Sequence, residues 1–195
     1  LTTTLVGSLA DAGAVSLKNS ASNALTTTAT NGAAGGVAVT PVFALSSSGN
    51  DSRVSVDVGP ALVATALTLD NAASQTNKTT ANASLSATKA AVGAAIALSL
   101  GAPAIVTRLD RTATIAGAVT LSGRFRADSD TKATASVGGD AGKGGNATAQ
   151  RGKGLAFDDA RSGRTTAAPS AETSSGDFGA AAAIAFDSEG GAVDT

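Results

Sequence analysis

Two motifs recur along this chain at one shared interval, and no other feature constrains its fold as strongly. Val15-Ser16-Leu17 returns as Leu67-Thr68-Leu69 and again as Val119-Thr120-Leu121, at steps of 67 − 15 = 52 and 119 − 67 = 52. Phe43-Ala44-Leu45 returns as Ile96-Ala97-Leu98, a step of 96 − 43 = 53, and again as Ile184-Ala185-Phe186. A fixed period of this size marks an array in which each unit covers its apolar side with the next.

Within each period the local pattern is alternation, the signature of strands with one buried face. Val37, Val39, Phe43 and Leu45 share a parity; so do Val54, Val56 and Val58, then Leu67 and Leu69. Ile96, Leu98 and Leu100 follow, and then Ile115, Val119 and Leu121. These residues, with Ala, are expected to fill the interior, and Ser, Thr and Asn to lie outside. Turn signals separate the runs at Asn31-Gly32, Ser48-Gly49-Asn50-Asp51, Gly59-Pro60, Asp70-Asn71, Gly101-Ala102-Pro103 and Ser122-Gly123. No stretch sustains a helical stripe, and the Ala-rich run at 179–184 aligns with alternating copies, so it reads as strand. The expected fold class is all-β: a parallel β-helix (β-solenoid) of imperfect repeats of about 52 residues, with a Gly-rich insertion. Coils of roughly 18–25 residues would make each period two coils.

The period breaks once. From Ile96 to Ile184 is 184 − 96 = 88 residues, leaving 88 − 53 = 35 in surplus. The surplus falls within 133–177 and begins with Gly138-Gly139-Asp140-Ala141-Gly142-Lys143-Gly144-Gly145-Asn146. The organisation expected is therefore repeats over 1–132, a Gly-rich insertion or irregular coil over 133–177, and the start of a further repeat over 178–195. The chain reads as an interior piece of a longer protein. Cations gather late in the sequence, and Lys143, Arg151, Lys153, Arg161 and Arg164 form a candidate binding loop, because repeat insertions emerge on one face and carry specificity.

Composition narrows the chemistry. A formal net charge of −1 gives no global pull towards nucleic acid, and the absence of Trp and Tyr removes the usual stacking platforms. With no His and no Cys, Ser-His-Asp triads, thiol nucleophiles, haem ligation and ordinary zinc sites are excluded. The apolar run Ala90–Val106 contains Gly93, Gly101 and Pro103 and is short for a membrane helix. An outer-membrane barrel is disfavoured by the missing aromatic girdles.

Individual motifs resolve to bland readings. Gly138-x-x-x-Gly142-Lys143-Gly144 has the wrong spacing for a phosphate loop and no Ser or Thr after the Lys. Asp128-Ser129-Asp130 and Asp158-Asp159 stand in no calcium-binding frame. Arg108-Leu109-Asp110-Arg111 reads as a surface ion-pair turn, since a 52-residue step from Asp110 lands on Val58 and supplies no second carboxylate. An ice-binding Thr ladder is interrupted by charge: Thr28 steps to Thr80 and Lys132, and Thr26 to Lys78 and Asp130.

Ala94–Leu100, Thr112–Leu121 and Ala133–Val137 together resemble the strand repeats of very large bacterial exoproteins, the filamentous-haemagglutinin-like and leukotoxin-like adhesins. The resemblance covers most of residues 30–137 and returns at Phe178; Pro41 and Pro60 depart from it. It implies a right-handed parallel β-helix, secretion and attachment, and transfers no catalytic residues. The function expected is a structural or adhesive segment of a secreted or cell-surface bacterial protein, forming a stiff extracellular fibre or stalk. Its partners would be neighbouring repeats, copies of the same protein, and host or surface glycans. No catalytic residue, metal ligand, cofactor or nucleic-acid partner is assigned. The alternative is a carbohydrate-active β-helix enzyme, a polysaccharide lyase or hydrolase, which needs acidic residues on consecutive coils.

Overall fold

The computed structural model describes residues 1–138, 170–174 and 178–195. Among them it forms ten strands and no helix: β1 (Thr2–Leu5), β2 (Ala12–Ser48), β3 (Ser52–Val56), β4 (Leu62–Gly101), β5 (Ala104–Leu109), β6 (Ala113–Ile115), β7 (Val119–Gly138), β8 (Ser170–Ser174), β9 (Phe178–Glu189) and β10 (Ala192–Asp194). Every strand pairing is parallel. A parallel ladder requires the chain to return to the same starting side before each new strand, and the 52-residue repeat supplies that return.

The register follows the motif spacing. Val15 pairs with Leu67 and Leu67 with Val119, while Phe43 pairs with Ile96 and Ile96 with Ile184. Thr26, Lys78 and Asp130 also fall in one column, as do Thr28, Thr80 and Lys132. A coil of 18–25 residues would have set Val15 against a residue near position 40. The partner is Leu67, so one period is a single pass of the chain and not two coils.

Each pass runs out along one wall and back along another. In the pass from Leu67 to Leu109, the outgoing wall covers 67–87 and the return wall 91–109. Contacts across the interior establish that the walls face each other. Asn71 Nδ2 donates to Val106 O at 2.9 Å, Ser129 Oγ donates to Ser99 Oγ at 3.3 Å, and a Cβ on Gly93 would lie 2.8 Å from Leu85 Cδ1. The chain turns between walls at Gly35-Gly36 in one pass and at Thr88-Lys89 in the next. The register shifts between Gly35 and Val37 because the second turn is one residue longer. Gly35 has φ 148°, a backbone conformation that L side chains rarely adopt.

The surplus residues enter at this same turn. β7 runs along the outgoing wall to Gly138, paired with β4 throughout, so the regular register extends beyond residue 132. β8 pairs with the far end of β7, Thr134 against Ser170, and β9 then lies on the return wall against Ala90–Gly101. The Gly-rich segment itself lies outside the described residues.

The interior holds two apolar clusters separated by a polar layer. Val54, Val56, Leu62, Leu67 and Leu69 fill one end, with Val15, Leu17, Leu109 and Leu121 packed against them. The other end is filled largely by small residues: Ala38, Ala44, Ala81, Ala83, Ala95, Ala97, Ala133 and Ala135, with Val42, Leu85 and Val137. Between them Asn19, Ser46, Ser52, Asn71, Gln75, Asn77, Thr79, Ser99 and Thr107 are buried. Ser, Thr and Asn were expected outside; in this layer they face inward and are held mostly by one another and by opposite-wall carbonyls, whereas the Gln75 amide, equally buried, has no hydrogen-bond partner among the described residues. Asn71 Nδ2 also donates to Ser52 O at 2.9 Å, Ser52 Oγ to Asn71 Oδ1 at 2.5 Å, and Asn19 Nδ2 to Ser52 Oγ at 2.9 Å. Such pairing lets polar groups occupy the interior without the cost of a lost hydrogen bond.

The alternation identifies the strands, but in one region it misidentifies their inner face. Val37, Val39, Phe43 and Leu45 point outward, with Phe43 57% exposed, while Ala38, Thr40, Val42, Ala44 and Ser46 point in. Ile96, Leu98 and Leu100 likewise sit outside, with Ala95, Ala97 and Ser99 inside. The sequence of one return wall holds a conflict. Its large residues are odd-numbered from Val37 to Leu45 but even-numbered at Val54 and Val56, and one unbroken parity cannot bury both sets. The even parity prevails from Ala38 to Val56, which buries Val54 and Val56 completely.

Candidate interaction face

The return wall turns a continuous apolar sheet face outward. Its columns follow from the ladder: Val39, Val92 and Ala180 stack in one, Pro41, Ala94 and Ala182 in the next, then Phe43, Ile96 and Ile184, and then Leu45, Leu98 and Phe186. Val37 and Leu100 extend it at either end. Val37, Val39, Phe43, Leu45, Val92, Leu100, Ile184 and Phe186 account for most of the exposed large hydrophobic residues of the described chain. The outward positions from 37 to 47, from 90 to 100 and from 180 to 188 contain no Asp, Glu, Lys or Arg.

The outgoing wall is the opposite in chemistry. Its outward positions are Ser, Thr, Asn, Asp, Lys and Arg, as in Thr76, Lys78, Arg124, Arg126 and Asp128. Arg124 pairs with a half-buried Asp70 at 2.9 Å, and Arg126 with Asp128 at 3.0 Å in the open, where such a pair contributes little. One sandwich therefore carries a solvated face and an apolar one. Contiguous apolar patches on monomers are commonly ~300–600 Å² and often functional, so this face is the leading candidate site.

The remaining candidates fall elsewhere. Lys143, Arg151, Lys153, Arg161 and Arg164 lie outside the described residues, as does Asp158-Asp159. Asp128 is engaged with Arg126, and no group of three or more His, Cys, Asp or Glu residues suited to a metal occurs among the described residues. The turn at Arg108–Arg111 divides its roles. Arg108 pairs with Asp194 at 3.6 Å, whereas Arg111 makes no ion pair among the described residues and binds backbone carbonyls: Asp57 O at 2.5 Å, Gly7 O at 2.6 Å, Leu5 O at 2.9 Å and Pro60 O at 3.3 Å. Gly59 admits this side chain, since a Cβ there would lie 3.2 Å from the guanidinium carbon.

Asp110 has a carboxylate neighbour that a fixed 52-residue step misses. On this part of the return wall the offset is 53, Ser52 pairing with Ile105 and Val56 with Leu109, so Asp110 stacks beside Asp57 and not Val58. Arg53 lies between them, 3.5 Å from Asp57 and 3.9 Å from Asp110, and all three side chains are more than a third exposed. A guanidinium bridging two carboxylates in solvent makes this a surface ion-pair cluster.

The sequence held a signal for the apolar face: the conflict of parity between Val37–Leu45 and Val54–Val56. The buried Asn column was readable too, because Asn19 and Asn71 are one period apart. No helix among the described residues is long and apolar enough to cross a membrane. Comparison with protein-family models, with curated proteins and with solved structures finds no match.

Proposed function

We propose that this chain is a structural segment of a parallel β-helix (β-solenoid), extending a stiff extracellular fibre or stalk on a bacterial surface. One observation supports this reading above the others: successive passes add parallel rungs in the same direction, offset by 52 residues on the outgoing wall and 53 on the return wall between β2 and β4, so every repeat presents to the next the edge it was itself built on. Such a stack lengthens by about 4.7–4.9 Å per rung and places no demand on any single residue for chemistry. Neighbouring repeats would pair along the edges of the stack, and binding of host or surface glycans would fall to the residues of the insertion.

Two measurements test the proposal together. Oriented samples should diffract with a strong reflection near ~4.8 Å along the particle axis, and negative-stain images should show rods. A panel of surface and plant polysaccharides should remain intact after prolonged incubation with the protein. Turnover of any of them, or globular particles without the axial repeat, would replace the fibre reading with an enzymatic or globular one.

A further inference from the structure

We propose that the outer face of the return wall pairs two copies of this chain, face to face, about a two-fold axis. This does not depend on the fibre reading, which concerns the edges of the stack and not its faces.

Area is the first support. From their fractional exposures, the eight exposed large residues of the face present roughly 700–800 Å² of accessible surface, close to the ~800 Å² per partner of a stable specific interface. That also exceeds the ~300–600 Å² typical of the largest apolar patch on a monomer. Relief is the second. On the first two strands the columns run large, small, large (Val39 and Val92, then Pro41 and Ala94, then Phe43 and Ile96), while on β9 Ala180 and Ala182 are both small before Ile184, which leaves the trough open on one side there. The small column is a trough between two ridges that crosses the strands. A two-fold operation lays the ridge of one copy into the trough of the other, giving the self-complementary contact that an isologous dimer needs.

Charge is the third support. No ionisable group stands among the outward positions, so bringing two identical faces together juxtaposes no like charges. The outgoing wall, with Lys78, Arg124, Arg126 and Asp128 projecting, offers no such partner. A second copy is therefore the occupant that matches the face in area, relief and charge.

The test is sedimentation velocity of the whole chain from low to high micromolar concentration, with three variants. Phe43→Lys/Ile184→Lys places charges on the ridge, and symmetry doubles each of them in the interface. Phe43→Ser/Phe186→Ser removes apolar area without charge, and Thr76→Lys on the opposite wall is the control. The expected result is a wild-type species that saturates at two copies, a dimer constant weakened about a hundredfold or more by the Lys pair, a smaller weakening by the Ser pair, and no change in the control. Circular dichroism should show the same strand content in all four. A wild-type monomer at every concentration would overturn the proposal. So would a dimer indifferent to both face variants, or open-ended growth that survives them, which belongs to edge stacking. Flotation with neutral phosphatidylcholine vesicles completes the set: a monomer that floats and loses flotation in the Lys pair would assign the face to lipid instead.

Discussion

A methyl group added at Gly93 tests the opposed walls most directly. In the native structure the new Cβ would lie 2.8 Å from Leu85 Cδ1 and 3.4 Å from Val137 Cγ2. Leu85 is 3% exposed within the Ala-rich cluster, so its terminal methyl has little room to rotate away. Overpacking of this kind costs about 1–3 kcal/mol, and the reduced freedom of the unfolded chain on Gly→Ala returns about 0.4–1 kcal/mol. Gly93→Ala should therefore destabilise by about 1 kcal/mol. Leu85→Ala should cost about 2–5 kcal/mol through the cavity it leaves. In the double variant the Gly93→Ala methyl enters that cavity, its clash is gone, and its contribution should turn favourable by about 0.5–1 kcal/mol. The coupling between the two changes is then about 1.5–2 kcal/mol, above the ~0.5 kcal/mol within which independent sites add. Urea unfolding followed by circular dichroism measures all four corners of the cycle. Additive free energies would show that residues 85 and 93 do not meet, and the account of two walls sharing one narrow interior would fail with them.

Neighbouring substitutions at one point of the return wall should separate its two faces. Ile96→Asp is expected to leave the monomer's midpoint within about 1 kcal/mol of wild type, whereas Ala97→Asp, one residue on and fully buried, should cost several kcal/mol for an unpaired interior charge. Equal effects in urea titrations would contradict the outward placement of Ile96. Asn71→Leu should lose about 2–4 kcal/mol, since it leaves the Ser52 and Val106 carbonyls without the amide that binds them; Ser52→Ala at the same site should cost less, and the reverse order would refute the network. Arg111→Ala should destabilise by about 2 kcal/mol by releasing four turn carbonyls, and Arg111→Lys should recover under half of that in thermal melts, because an ammonium cannot span the same fork.

How much of this was legible in the sequence divides along physical lines. Strand character and register are properties of one dimension. Alternation marks a strand, a repeated motif marks its ladder partner, and both survive folding, as Val15–Leu67–Val119 and Phe43–Ile96–Ile184 show. The number of coils per period is not of that kind. Turn signals occur often enough to allow two, and only the pairing of Val15 with Leu67 reduces them to one.

Which face of a strand is inside was decided by the tertiary structure alone. Period two gives two equivalent faces, and hydrophobicity breaks the tie only when the whole wall agrees. Here Phe43 and Leu45 asked for one parity and Val54 and Val56 for the other, and the chain kept the second without a bulge between them. The opposite wall favours that outcome, because Leu85 and Val137 already occupy the space between the sheets, and Gly93 is small enough to face them. An interior shared by two walls holds a fixed volume, so large residues on one side require small ones on the other. The residues left over became the apolar outer face, a feature set by the packing of two walls and by the sequence of neither one taken alone.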